Sequence, residues 1–427
     1  MIGIIQTIHN NLNRSLFSPW SVFLVFLILA CLPARAPAES TDLSRTHALL
    51  INGGGSRQIN YQSHLLHVKR IYRILSEAGV PASNISILSA DGSDSEPDLA
   101  TREMQKEVDF WMLSGTRLEK SLRPRIRYVN SEFSSTEMQP ATRESLRKWF
   151  ESAEGELVSG DTLIIYVTDH GTLNKEDSTN NQITLWGEEE NIGVEDLRSL
   201  INRLHPSVKV VTLMSQCFSG SFAHLMYGQP GDEQPRGNLG GFFSSTAARP
   251  AYGCYPENRD KDNVGHSFRF FDALEVSGEF TQAHNSVLVS DQTPDVPIRA
   301  SDIYLEKVLT AEAESLDMDF EELVDQFLKS AWNDKKAWEP EIRLLDRMGT
   351  AFGYFSPRFL SELGQHSESL AEISNRLDRY KVAWKRSLLS LNRANLDRFV
   401  EHHPDWDEKL SEDQLGKLNQ TERDELT

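Results

Sequence analysis

Two short apolar runs constrain this chain more than anything else in it. Asp161-Thr162-Leu163-Ile164-Ile165-Tyr166-Val167-Thr168 is one, and Val208-Lys209-Val210-Val211-Thr212-Leu213-Met214 is the other. Neither alternates apolar with polar residues. A run of that length, rich in β-branched residues, reads as a strand covered on both faces, the environment of a parallel sheet. Each run ends in a cluster of small and reactive residues: Asp169-His170-Gly171 after the first, Ser215-Gln216-Cys217-Phe218-Ser219-Gly220-Ser221 after the second. In an open α/β sheet, ligands bind outside the carboxyl ends of the strands. A thiol and an imidazole therefore stand where chemistry is expected.

The surrounding pattern agrees with such a sheet. His47–Asn52 reads as a first strand running into Gly53-Gly54-Gly55, and Ser63–Ala78 carries apolar residues at helical spacing until Gly79 and Pro81 stop it. The glycine cluster lacks both G-x-G-x-x-G and a Gly-Lys-Ser/Thr ending, so it reads as a tight turn and not a phosphate loop. Ile85–Leu88 reads as a second strand, Thr142–Glu154 as a helix, Ile183–Trp186 as a short strand, Val194–Leu204 as a helix and Gly240–Ala248 as a further strand. Residues 92–140 read as a polar insertion or surface loop with one apolar patch, Phe110–Leu113. Alternating strands and helices predict a three-layer α/β sandwich with a mostly parallel sheet. From Asp302 onward the chain is charged and helical by period, which predicts a C-terminal helical appendage over 306–427 beyond a core domain at 45–305.

The chain of 427 residues has a formal net charge of −19, which argues against a nucleic-acid partner, since that needs a basic footprint. Residues 1–38 have the layout of a secretory signal peptide: Arg14, the apolar run Trp20–Ala30, then Ala34, Ala36 and Ala38. That layout predicts a secreted or periplasmic protein. Ile28-Leu29-Ala30-Cys31 also has the shape of a lipobox, a second reading in which Cys31 would carry a lipid anchor. Three cysteines, Cys31, Cys217 and Cys254, are too few for a disulfide-stapled exported protein, and a catalytic thiol accounts for one of them. His64, His67 and His284 have no metal-ligand spacing with a cysteine, and H-E-x-x-H is absent; neither a metal nor a cofactor is expected.

A neutral thiol is a weak nucleophile, and an imidazole within reach both generates the thiolate and later protonates the leaving amine. His170 precedes Cys217 by 47 residues, an order that suits caspase-type and not papain-type enzymes. In order along the chain, Asn60-Tyr61, Ala78-Gly79-Val80-Pro81 with Ile85-Ser86-Ile87-Leu88, Thr168-Asp169-His170-Gly171, Gln216-Cys217-Phe218-Ser219-Gly220-Ser221, and Ser244–Pro250 through Tyr252-Gly253-Cys254-Tyr255 resemble the blocks of legumain-like (C13) cysteine endopeptidases of the caspase-like clan. The resemblance spans about residues 46 to 290. It implies a caspase-like fold and an endopeptidase with Cys217 as nucleophile, His170 as general acid/base, and Gly171 as an oxyanion-hole donor. Asn60 matches the residue that orients the histidine, and Asp169 the aspartate before it.

Three charged positions of the family's asparagine-binding pocket differ here: they hold Gln62, Ser215 and His266, which remain candidates for lining the substrate pocket. The asparaginyl preference therefore does not carry over. The expected substrate is a polypeptide. Two alternatives stay open at the level of sequence: a transpeptidase or transamidase on the same dyad, and a non-catalytic binding module. The resemblance also raises intramolecular inhibition of the cleft by the C-terminal helices.

Overall fold

A computed structural model describes residues 43–103, 125–252, 265–291, 293, 295–351 and scattered positions between 358 and 404. The stretch expected to be a signal peptide with Cys31, the Phe110–Leu113 patch, Cys254 and most of the chain beyond 351 lie outside the described residues. In chain order the strands are β1 (Thr46–Asn52), β2 (Ile85–Ser89), β3 (Leu99–Glu103), β4 (Arg125–Val129), β5 (Thr162–Thr168), β6 (Gly171–Thr172), β7 (Gln182–Thr184), β8 (Asn191–Gly193), β9 (Lys209–Met214), β10 (Leu239–Phe243) and β11 (Ile298–Arg299). The helices are α1 (Gln62–Glu77), α2 (Arg143–Glu156), α3 (Val194–Ile201), α4 (Gly265–Ser277), α5 (Phe280–Ser290), α6 (Ala300–Ser315), α7 (Phe320–Asn333) and α8 (Glu339–Ala351).

Six strands make the central sheet, in the order β2-β1-β5-β9-β10-β11, parallel throughout except where β11 runs against β10. Each central strand divides its side chains between two cores, as the two-residue period of a strand requires. Leu49, Ile51, Leu163, Ile165, Val167, Val210 and Met214 join the core that α2, α3 and the 3-10 segment Ser219–Met226 cover. Ala48, Leu50, Ile164, Tyr166 and Leu213 join the core under α1, α4 and α5. The result is helix, sheet, helix, the expected α/β sandwich.

Local signals terminate the elements as the sequence predicts. Gly79 takes a left-handed backbone (φ 103°) after α1, and Val80 and Gly79 donate to the carbonyls of Leu75 and Ser76, two bonds that close a helix end needing no Cβ. Thr142 caps α2, its hydroxyl accepting the Ser145 N–H at 3.2 Å. Three expectations need correction. The stretch read as a loop over 92–140 contains the antiparallel pair β3–β4. The strand expected through Ala248 ends at Phe243, and the chain leaves the ladder after a last bond from Ser244 N–H to Met214 O. Helix α6 starts at Ala300 and packs Ile303 and Tyr304 on the core, so the border drawn at residue 305 falls inside a helix. The C-terminal helical pattern is present as α6 to α8, with α7 capped by Asp319. Among the described residues no helix is long and apolar enough to cross a membrane.

Candidate active site

The chain leaves β1 toward β2 on one side and returns to β5 on the other, so the strand order reverses between β1 and β5. The carboxyl ends at such a reversal frame a crevice. His170 follows β5 there, and Cys217 follows the adjacent β9. These strands pair with a constant offset of 47 residues, Thr162 opposite Lys209 through Val167 opposite Met214, and Ser215 N–H still bonds Val167 O at 2.8 Å. The same 47 residues separate His170 from Cys217. Both residues thus lie two or three positions beyond the ends of neighbouring strands that finish together. Close contact of the two segments is direct: a Cβ on Gly171 would lie 2.0 Å from the Cys217 carbonyl oxygen.

Both strand ends carry backbone strain. Asp169, just before His170, has φ 87°, and Phe218, just after Cys217, has φ 58°; both are left-handed positions that cost energy for residues with a side chain.

His170 Nε2 lies 2.9 Å from the Ile59 carbonyl oxygen and 3.1 Å from Asp169 Oδ1. A carbonyl can only accept, so the proton sits on Nε2. That leaves Nδ1 with the lone pair of a base, or with a second proton when the ring is charged. Asp169 is fully buried, and burial holds its carboxyl above the usual carboxylate range, opposed by His170 and by the backbone N–H groups of Gly54 and His170. His64 lies behind it, with Nε2 3.7 Å from Asp169 Oδ1 and Nδ1 2.9 Å from Thr168 Oγ1. Burial, then His170 and His67, keeps His64 well below its ordinary pKa, so it stays neutral.

Gly171 opens β6. The Thr184 N–H bonds the His170 carbonyl at 3.1 Å, so Gly171 faces Ile183 as a non-hydrogen-bonded pair. Its N–H is not used in that ladder. Glycine is required here by space as well: the nearest atoms to an added Cβ are backbone atoms of Cys217.

Asn60 is the one site expectation that needs correction. Its side chain is not bonded to His170. Nδ2 donates to Asp98 O at 2.9 Å and Oδ1 accepts from Asn52 Nδ2 at 3.1 Å, with the residue completely buried. Asn60 fastens the turn, and the carbonyl of its neighbour Ile59 meets the imidazole. A backbone acceptor leaves no signature in sequence, so that partner was invisible there.

Cys217 is partly exposed. The Ala251 N–H points at Sγ (3.3 Å), and Sγ lies 3.6 Å from Ala251 O. The segment carrying Ala251 is pinned, since Arg249 O accepts from Phe218 N–H at 2.9 Å and from Ser245 Oγ at 3.0 Å. Of the three pocket candidates, Ser215 and His266 come together, Oγ to Nδ1 at 3.1 Å. His266 is buried, and burial with His284 and His67 nearby lowers its pKa to about 3, so it is neutral too. Gln62 is buried at the start of α1. Among the described residues no group of histidine, cysteine and acidic side chains could hold a metal ion.

No family model matches the chain, and neither does any curated protein. Among solved structures it is similar to protein GSU0716 from Geobacter sulfurreducens, a structural-genomics target, with 9% identity and a TM-score of 0.36, over 60% of this chain and 92% of that one. A likeness of that size carries no argument about fold or function.

Proposed function

We propose that the protein is an exported cysteine endopeptidase of legumain-like type, cleaving polypeptides through a thioester. One observation supports the reading: β5 and β9 end together, and the segments that follow them, carrying His170 and Cys217, meet where a Cβ on Gly171 would strike the Cys217 carbonyl. In the proposed reaction His170 Nδ1 takes the Cys217 proton, and the thiolate attacks the peptide carbonyl carbon. The Gly171 N–H and the Cys217 N–H receive the negative oxygen, a kind of donor worth about 3–4 kcal/mol each in other enzymes. The imidazolium then protonates the departing amine, leaving Cys217 acylated. Water, deprotonated by His170, hydrolyses the thioester and restores the thiol. The Ile59 carbonyl accepts from Nε2 and the Asp169 carboxyl lies 3.1 Å from the same nitrogen, so both face the charged ring formed during attack.

The test is an electrophilic thiol probe with mass-spectrometric mapping, followed by cleavage profiling on a peptide library. The reading expects selective labelling of Cys217, loss of labelling in His170→Ala, and loss of all cleavage in Cys217→Ala. Labelling indifferent to His170→Ala would favour a binding module. Products joined to an added amine instead of water would make the enzyme a transpeptidase.

A further inference from the structure

Two successive N–H groups, of Ala251 and Tyr252, connect the Cys217 sulfur to a carboxylate that nothing in the mechanism above uses. Tyr252, the residue after the one whose N–H points at Sγ, donates its own N–H to Asp295 Oδ1 at 2.6 Å. Asp295 sits in the loop between α5 and β11. The loop is tied locally, Thr293 N–H to Asp291 Oδ1 at 2.9 Å and Asp295 N–H to Thr293 Oγ1 at 3.3 Å. The other carboxylate oxygen, Asp295 Oδ2, is buried and makes no hydrogen bond among the described residues. The acidic groups that act on Asp295 are Asp291 and Cys217, and each repels a negative charge there when ionised. Burial first, then these two, push the Asp295 carboxyl up to about 7.

That placement is adverse for a nucleophile. A carboxylate beside a thiol opposes its ionisation, whereas reactive cysteines elsewhere are kept in electropositive surroundings. The side chains at the expected pocket positions, Gln62, Ser215 and the neutral His266, offer no compensating charge. A buried carboxylate oxygen with no hydrogen bond is costly until a donor arrives. Substrate is the component of the reaction that can bring one.

Resting on the peptidase reading, we propose that Asp295 determines specificity, selecting peptides with a lysine or arginine on the acyl side of the cleaved bond. The incoming cation bonds Oδ2, and the neutralised carboxylate no longer opposes transfer of the Cys217 proton to His170. Recognition of the substrate and activation of the nucleophile then become one event. Asparagine at 295 keeps an acceptor for the Tyr252 N–H while removing the charge, so it isolates the effect from loop anchoring.

The experiment measures kcat/KM for matched peptides bearing Lys, Arg, Gln or norleucine at the two positions before the cleaved bond, in wild type, Asp295→Asn and Asp295→Glu. Wild type should favour the basic peptides, and Asp295→Asn should lower the basic-to-neutral ratio by about 10- to 100-fold, the scale of one charge-assisted hydrogen bond. Asp295→Glu should restore part of the ratio. In the free enzyme, iodoacetamide should alkylate Cys217 faster in Asp295→Asn than in wild type near pH 7. A ratio unchanged by Asp295→Asn, or a wild type indifferent to basic residues, would overturn the inference while peptide cleavage itself persists. Absence of any cleavage together with alkylation independent of His170 would instead overturn the peptidase reading, and this inference with it.

Discussion

Replacing Gly171 by alanine adds one methyl group at the point where the two reactive strand ends touch. Its carbon would sit 2.0 Å from the Cys217 carbonyl oxygen and 3.0 Å from both the Cys217 carbonyl carbon and Gln216 Cγ. Ordinary contact needs about 3.5 Å, so the segments must part by about 1.5 Å. The nearest obstacles are backbone atoms, which a rotamer change cannot move. Overpacking of this kind costs about 1–3 kcal/mol. For a body of this size that corresponds to a fall in Tm of about 2–12 °C. The kinetic effect should be larger in proportion. The displaced group carries the proposed oxyanion donor, and misplacing or losing such a donor lowers kcat about 100- to 1,000-fold. Calorimetry and steady-state cleavage of the best library peptide measure the two effects on one preparation. Labelling of Cys217 by a small electrophile should survive, since thiol and imidazole are both retained. A Gly171→Ala protein with unchanged Tm and wild-type kcat would refute the strand-end geometry on which the site is built.

Asn60→Ala removes a carboxamide that bridges Asn52 and Asp98 O in the interior, and urea unfolding should show a loss of about 1–3 kcal/mol. His284 is buried with both ring nitrogens lacking hydrogen bonds among the described residues, so His284→Leu should raise stability by about 1 kcal/mol or more at neutral pH. Acid should expose the buried histidines further. His284 and His266 are lowered to about 3, by burial first, so below about 6.5 the unfolded chain binds protons that the fold refuses. Stability falls as pH drops from 6.5 toward 3, by up to about 1.4 kcal/mol per pH unit for each histidine. Asp295 and Asp91, both raised to about 7, act in the opposite sense between about 4 and 7, so the histidine contribution is read as the shallower acid limb of His284→Leu against wild type. Thr142→Ala should cost about 1 kcal/mol through the lost α2 cap, measured as a lower urea midpoint at constant m.

What could be read from sequence divides along physical lines. Strands buried on both faces, such as β5 and β9, declare themselves by unbroken apolar runs, and the groups at their ends follow from that reading. β3 and β4 do not. LATRE and RIRYV mix charge with apolar residues and are too short for a period to emerge. The cluster HSFRFFDAL in α4 carries aromatic residues that suit strand and helix alike. At the site, Cys217, His170 and Gly171 were legible because their chemistry is in their side chains, or in the lack of one. Ile59 acts through a carbonyl that every residue owns, and Asp295 through a position in a loop that only the fold brings beside the thiol. Asn60 was singled out for the right turn but the wrong contact.

The matching offset of β5 and β9 has a further consequence. Because hydrogen bonds between strands end β5 and β9 together, the chain between Cys217 and His170 is not what brings their segments into contact. Lengthening, shortening or nicking the connection at an exposed stretch such as Lys175–Asp177 would leave the partners abreast. A slip of a single residue in the ladder would bring Gln216 opposite the imidazole and turn the thiol to the other face. The proposed couple is tolerant of events in the loop and intolerant of one step in the weave.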